Sequence, residues 1–250
     1  MIMVLRRDKM KKNPKIAILR WEEGHVPEGL VQLETMPGNS TNLKSYPFPV
    51  RLVRVEGANV ETVITHPSQE LLANMIRISK KLINEEGIKA ISTSCGFNSI
   101  FQKELAEALD VPVFTSALLQ VPFVYNLIGK HKIVGVITAN KSALTKEHFH
   151  SCGITDDINI EVMGLENAKE WSKMFEKPDE KFDIDAVTEE IIGVARKGVA
   201  KHPEIGAIVL ECTDLPPYAA KIREAVNLPV FDFNSMMGHV AIALEEMKLY

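Results

Sequence analysis

Ala90-Ile-Ser-Thr-Ser-Cys95 and Ala207-Ile-Val-Leu-Glu-Cys212 lie 117 residues apart, and the same offset places Val111-Pro-Val-Phe114 over Leu228-Pro-Val-Phe231. Between 90–114 and 207–231, eight of twenty-five positions are identical, Cys95/Cys212 among them. Upstream, the offset also lays Lys15-Ile-Ala-Ile-Leu-Arg20 on Lys132-Ile-Val-Gly-Val-Ile137. One offset that serves separated segments indicates an internal duplication. Each copy alternates short, β-branched apolar runs with amphipathic stretches. Strands are expected at 15–19, 50–56, 88–93 and 111–115, and again at 132–137, 158–163, 206–210 and 228–233. Runs apolar on both faces suit parallel strands covered by helices.

Helices are expected at 69–85, capped by Ser68 and stopped at Gly87, at 184–198, at 98–109 and 215–226 after the two cysteines, and at 234–247. The fold class is therefore α/β, with two pseudo-symmetric lobes. Each lobe is a four-stranded, mostly parallel sheet flanked by helices, with the active site in the cleft between them. The first lobe is assigned residues 1–117 plus 228–250 and the second 118–227, because the closing segment mirrors 111–129 and returns to the first lobe. Residues 165–182 have no counterpart in the first copy and read as a loop insertion.

Hydrophobic residues make up 46% of the 250 positions, charged residues 25%, and the net charge is −4. That balance lacks the basic excess that binding a phosphate backbone needs, so nucleic acid is not an expected partner. The longest charge-free stretch, 111–129, is broken by prolines and polar residues, and no membrane span is expected. The start, Met1-Ile-Met-Val-Leu5 followed by Arg6, Arg7, Lys9, Lys11 and Lys12, reverses the order of a secretory signal. A frayed basic arm on a cytoplasmic protein is expected. No Gly-rich phosphate loop follows a strand. The histidines form no metal pattern beyond His148/His150, read as solvated near a helix end, so neither cofactor nor metal is expected.

Cys95, Cys152 and Cys212 are too few and too scattered for a disulfide framework. Ligands of open parallel sheets bind beyond the carboxyl ends of strands. Cys95 and Cys212 both fall there, each before a helix whose N-terminus is expected to favour a thiolate. One cysteine after a buried strand is ordinarily a packing residue. Two at equivalent points of a duplicated unit instead suggest thiols facing one small molecule, one removing a proton and the other delivering one. Cys152 has no symmetric partner and reads as inert.

The segments Thr93-Ser-Cys-Gly-Phe-Asn98 and Glu211-Cys-Thr-Asp214, set in a two-lobed duplication, resemble the aspartate/glutamate racemase superfamily of cofactor-independent racemases, hydantoin racemases, maleate isomerases and arylmalonate decarboxylases. The resemblance implies that Cys95 and Cys212 are the catalytic acid/base pair and that Thr213 holds a substrate carboxylate through its N–H and hydroxyl. Thr138, Asn140 and Ser142 resemble the family's Thr-rich carboxylate loop. Ser94, Gly96 and Asn98 flank the first cysteine as further binding candidates. Gly96-Phe97-Asn98 replaces the family's Asn-Thr after that cysteine. Asp214 stands where amino-acid racemases carry His or Glu, and either tunes Cys212 or a substrate ammonium, or caps the following helix.

Arg20 either grips a carboxylate or forms a surface pair with Glu22 or Glu23, and the pair is favoured. Thr115 and Ser116, with Asp232 and Asn234 in the mirrored loop, are expected to face the cleft, although hydroxyl and Asx residues after strands are also commonplace turn formers. A racemase or epimerase of an amino acid or related small carboxylate is the leading expectation. An isomerase or decarboxylase of the same fold, and a non-catalytic binding protein, are the alternatives; a homo-oligomer is compatible with all of them.

Overall fold

A computed structural model describes residues 13–247, and the basic N-terminal arm lies outside the described residues. Eight strands form: β1 (Ile16–Arg20), β2 (Val50–Arg54), β3 (Ala90–Thr93), β4 (Val113–Phe114), β5 (Ile133–Thr138), β6 (Ile160–Gly164), β7 (Ile205–Leu210) and β8 (Val230–Phe231). Nine α-helices are found among the described residues: α1 (Glu28–Glu34), α2 (Gln69–Glu86), α3 (Gln102–Ala108), α4 (Val121–Ile128), α5 (Lys146–Ser151), α6 (Lys173–Glu176), α7 (Ile184–Lys201), α8 (Ala219–Val226) and α9 (Phe233–Ala243).

The strands make two sheets of identical order, β2-β1-β3-β4 and β6-β5-β7-β8, and every pairing is parallel. The duplication read from the sequence is thus a duplication of topology. Central strands β3 and β7 are buried along their whole length, as continuous apolar runs require in a sheet covered on both faces. Among the described residues no helix is long and apolar enough to cross a membrane.

Local signals explain the helices. In α2 the Ser68 side chain accepts a hydrogen bond from the Leu71 N–H, and Gly87 ends the helix at φ 71°, a left-handed value that favours glycine. Leu71, Leu72, Met75 and Leu82 form its buried stripe.

The helices α4 and α9 are exchanged between lobes. Val121, Val124 and Tyr125 of α4 pack on Val134, Val136, Ala207 and Val209 of the second sheet. Phe233, Met236, Met237 and Ala241 of α9 pack on Ile16, Ile18, Ala90 and Phe114 of the first. Because β8 pairs with β7, the crossing back to the first lobe follows Phe231 instead of starting at 228.

Two expectations change. The helices after the cysteines begin as 3-10 turns, Gly96–Phe101 and Pro216–Tyr218, and become α-helical only at Gln102 and Ala219.

The insertion 165–182 is a packed lid, not an open loop. Trp171 is fully buried against Phe182, with ring centroids 5.9 Å apart. Phe182 in turn occupies the space beside Gly29 of α1, where a Cβ would lie 2.5 Å from its ring. The lid of the second lobe and α1 of the first therefore close on one another above the strand ends.

Candidate active site

Cys95 follows β3 and Cys212 follows β7, and duplication brings both, as free thiols, to one cavity. Trp21, Glu34, Phe97, Met174, Thr213 and Asp214 also line it. Each sulfur receives a backbone N–H from two residues downstream, Phe97 for Cys95 and Asp214 for Cys212, so the pseudo-symmetry reaches the hydrogen bonds. The cavity is narrow, about 30 Å³, and Met174 of the 165–182 segment forms part of its wall. Outside lies an open basin of about 960 Å³ that shares Val26, Glu34 and Met174 with the inner cavity. Its rim carries Glu23, Glu28, Glu34, Glu61 and Asp179 against the single guanidinium of Arg54.

The electrostatics differ from the expectation of acidified thiols. Burial raises both thiols well above their ordinary range. Glu211 then raises Cys95 further, while Asp214, ahead of Glu211, does the same for Cys212. The two N–H contacts, and the Trp21 indole beside Cys95, oppose this without overcoming it. Burial also lifts the two carboxyls themselves to about 7. The centre thus holds two neutral thiols and two carboxyls that titrate near neutrality, a poise that burial and like charge together produce. Asp214 is the group in touch with a thiol: its Oδ2 accepts from the Cys212 Sγ at 3.9 Å, and its Oδ1 is held by the Asn39 side chain at 2.7 Å. The helix-cap alternative for Asp214 is not what its side chain does, since both oxygens are engaged elsewhere.

Other sequence candidates sort differently. Ser94 and Gly96 line the cavity. The Thr213 hydroxyl, expected to hold a carboxylate, donates to the Ser94 carbonyl and ties the lobes together. Thr138 donates to Glu211 Oε2 at 2.7 Å and does not line the cavity. Asn140 caps Ser142 N, and both line a separate groove. Asn98 is buried, does not line the cavity, and leaves its Oδ1 without a partner among the described residues. Arg20 is paired, yet with Glu34 at the cavity wall, at 2.5 and 2.6 Å, not with Glu22 or Glu23.

Thr115 bonds Gln102, Ser116 caps Leu118, Asp232 caps α9, and Asn234 donates to the Gly38 carbonyl. None of these four lines the cavity.

His148 is not solvated. It is 1% exposed, accepts the Thr145 N–H at Nδ1, and stands edge-on to Phe97 at 5.9 Å. Burial lowers its pKa to about 4. Since an unfolded histidine binds a proton near 6.5, folding is opposed by protonation. Stability on this account is full above pH 6.5 and declines by up to about 3 kcal/mol as the pH falls to 4. Urea denaturation of His148→Gln across that window should show a shallower loss than the parent chain.

Trp21, Glu34 and Glu211 are the functional candidates that sequence reasoning passed over. Trp21 directly follows the strand-end Arg20, and Glu211 directly precedes Cys212, so adjacency to a chosen residue was the available signal.

The profile of one protein family, Asp/Glu/Hydantoin racemase, matches residues 103–237, more than half of the chain, and the chain belongs to it. A dimethylsulfoniopropionate lyase from Durusdinium sp. clade D is 30% identical over 83% of this chain and 71% of its own length. Dimethylsulfoniopropionate lyase 7 of Emiliania huxleyi is 31% identical over 61% of this chain, which spans less than half (46%) of that relative. Among solved structures, an aspartate racemase homologue from Pyrococcus horikoshii OT3 shares the fold with a TM-score of 0.59, at 16% identity, over 93% of this chain and 99% of its own.

Proposed function

We propose that this chain is a cofactor-independent lyase that abstracts the α-proton of a small carboxylate and expels a cationic sulfur group from the β-carbon, with dimethylsulfoniopropionate as the candidate substrate. The observation that carries this is the cavity itself: two thiols beside an indole and the carboxyls of Glu34 and Asp214, reached through an acidic basin. Such walls suit a substrate with a positive head. An aromatic face contributes about 0.5–2 kcal/mol to binding an onium ion, and a cleft lined with one sign of charge concentrates the opposite ion. The similarity to lyases of that name, about twice the identity shared with the racemase homologue, points the same way.

In the reaction, Asp214 as carboxylate takes the proton from Cys212, with which it is hydrogen-bonded. The resulting thiolate removes the substrate's α-proton, and that C–H pair becomes the Cα–Cβ double bond. The Cβ–S bond breaks with its electron pair leaving on dimethyl sulfide, so acrylate remains. The cation offsets the negative charges that otherwise keep the thiols neutral. Cys212 is then the thiol it began as, and the one proton the reaction releases, carried by Asp214, returns to solvent.

Racemisation, the leading expectation from sequence, is the second function the site supports, because the mirrored thiol Cys95 lines the same cavity and supplies the second acid/base that racemisation requires. Incubation with dimethylsulfoniopropionate and gas-chromatographic detection of dimethyl sulfide separates the two. Absence of dimethyl sulfide, together with deuterium exchange into an amino acid in D₂O, overturns the lyase assignment. In the lyase, Trp21→Leu should raise KM for the sulfonium substrate about tenfold, as loss of a desolvated cation–π contact does. The inhibition constant of isocaproate, which keeps the carboxylate and lacks the positive charge, should barely move.

A further inference from the structure

Glu211 has no step in the mechanism above, yet it is fully buried beside the two cysteine loops and its charge acts on both thiols. It precedes Cys212 in the chain, and its N–H is fixed by the Ile137 carbonyl at the end of β5. Across the lobe boundary, its side chain and carbonyl occupy the space beside Gly96, the residue after Cys95. A Cβ on Gly96 would fall 2.2 Å from Glu211 Oε1 and 2.3 Å from the Glu211 backbone oxygen. Gly96 is therefore required by Glu211, which is a packing reason for a glycine first read as a binding residue. One carboxyl oxygen, Oε2, accepts from Thr138; the other, Oε1, is buried with no hydrogen-bond partner among the described residues. A half-satisfied buried carboxyl is costly and invites a role.

We propose that Glu211 is a positioning residue for the thiol pair, a carboxyl seated between the Cys95 and Cys212 loops whose charge opposes ionisation of both. The groups acting on it or facing it are Thr138 from β5, Gly96 and Cys95 from the loop after β3, Cys152 from the end of α5, and Cys212 and Asp214 from its own loop. No basic side chain takes part in that set. Burial lifts its pKa to about 7, so it is neutral in mild acid and charged in mild base. When it is charged, a thiolate at Cys95 meets a like charge across Gly96; when it is neutral, that opposition vanishes. Glu211 thus limits how far the thiols ionise as pH rises, and keeps them from standing as free thiolates between turnovers.

This rests on the thiols being the reacting groups but not on the substrate, and its test needs no turnover. The rate at which iodoacetamide modifies Cys95 is read by peptide mass spectrometry in the full chain and in Glu211→Gln, which keeps shape and removes charge. The expected ratio of variant to parent is about tenfold at pH 8.5, as one unit of thiol pKa gives, falling to near one at pH 5.5. Cys212 should follow with a smaller ratio, since Glu211 ranks behind Asp214 there. A ratio of one at both pH values overturns the proposal. So does an equal rise at both, which would mean only a loosened lid. Should Glu211→Gln fail to fold, Thr138→Val serves instead. Losing the hydroxyl that favours the ionised carboxyl should speed Cys95 modification around pH 7–8 and leave it unchanged at pH 10, whereas identical profiles would refute the role. The lyase assignment fails or stands separately, on dimethyl sulfide release.

Discussion

Cys212→Ser should lower turnover of dimethylsulfoniopropionate by about 10³- to 10⁴-fold, the range that loss of a general base produces. Cys95→Ser should cost far less, about ten- to a hundredfold. The asymmetry follows from the surroundings of two residues that the duplication makes equivalent. Cys212 has a carboxylate within reach to take its proton, the Asp214 Oδ2 at 3.9 Å. Cys95 has an indole in the corresponding place and a backbone N–H, neither of which can accept a proton. Elimination needs one base, whereas racemisation needs an acid and a base on opposite faces. Equal losses in the two variants would argue for two-base exchange and against the lyase. Steady-state release of dimethyl sulfide, with the melting temperature of each variant as the check on folding, is the measurement.

Much of the architecture was legible because parallel sheets are written in a simple code. Continuous β-branched runs such as Ala90–Thr93 and Ala207–Leu210 leave little choice but burial on both faces, and the 117-residue offset ties one lobe to the other. The offset holds at β1/β5, β3/β7 and β4/β8 but fails at β2/β6, where β6 begins at Ile160. The connections on either side of β2 and β6 differ in length between the copies, so the offset is lost there and recovered at β3/β7. The two cysteines were legible for the same reason, as strand ends are fixed by strands.

What was not legible depends on distant packing. Nothing near Arg20 in sequence shows that Glu34, fourteen residues on, swings across to pair with it. Thr138 looks like a carboxylate-binding hydroxyl until Glu211 is seen to occupy it. The lid of 165–182 reads as polar and unmatched, and only the fit of Phe182 beside Gly29 makes it part of the site. The sign of the thiol shifts was missed most plainly. A helix N-terminus was expected to acidify each cysteine, but the segments that follow are 3-10 turns, and burial first, then two buried carboxyls, outweigh the N–H groups they supply.

Asp214→Asn should move stability and activity in opposite directions, and pH separates the causes. The Asp214 carboxyl titrates at about 7 when folded, against 3.8 for an unhindered aspartate side chain. Its folded pKa is raised, so the favourable, protonated state is fully present below about pH 4 and is lost as pH rises through 7. Above that, folding must hold a buried charge. Asparagine keeps the Oδ1 that Asn39 holds and removes the charge, so the variant should be more stable than the parent by about 4 kcal/mol at pH 8 and nearly equal to it at pH 4. His148 adds a slope of the opposite sign between pH 4 and 6.5 in both proteins and cancels in the difference. Over the same range turnover should fall by about a hundredfold or more, because Cys212 loses the group that takes its proton. A gain in stability at pH 8 with no loss of turnover would remove Asp214 from the proton path while leaving the electrostatics intact. A variant no more stable at pH 8 than the parent would mean that the carboxylate finds solvent or a cation when it ionises, and the cavity would then have to be far more open around Cys212 than its walls imply.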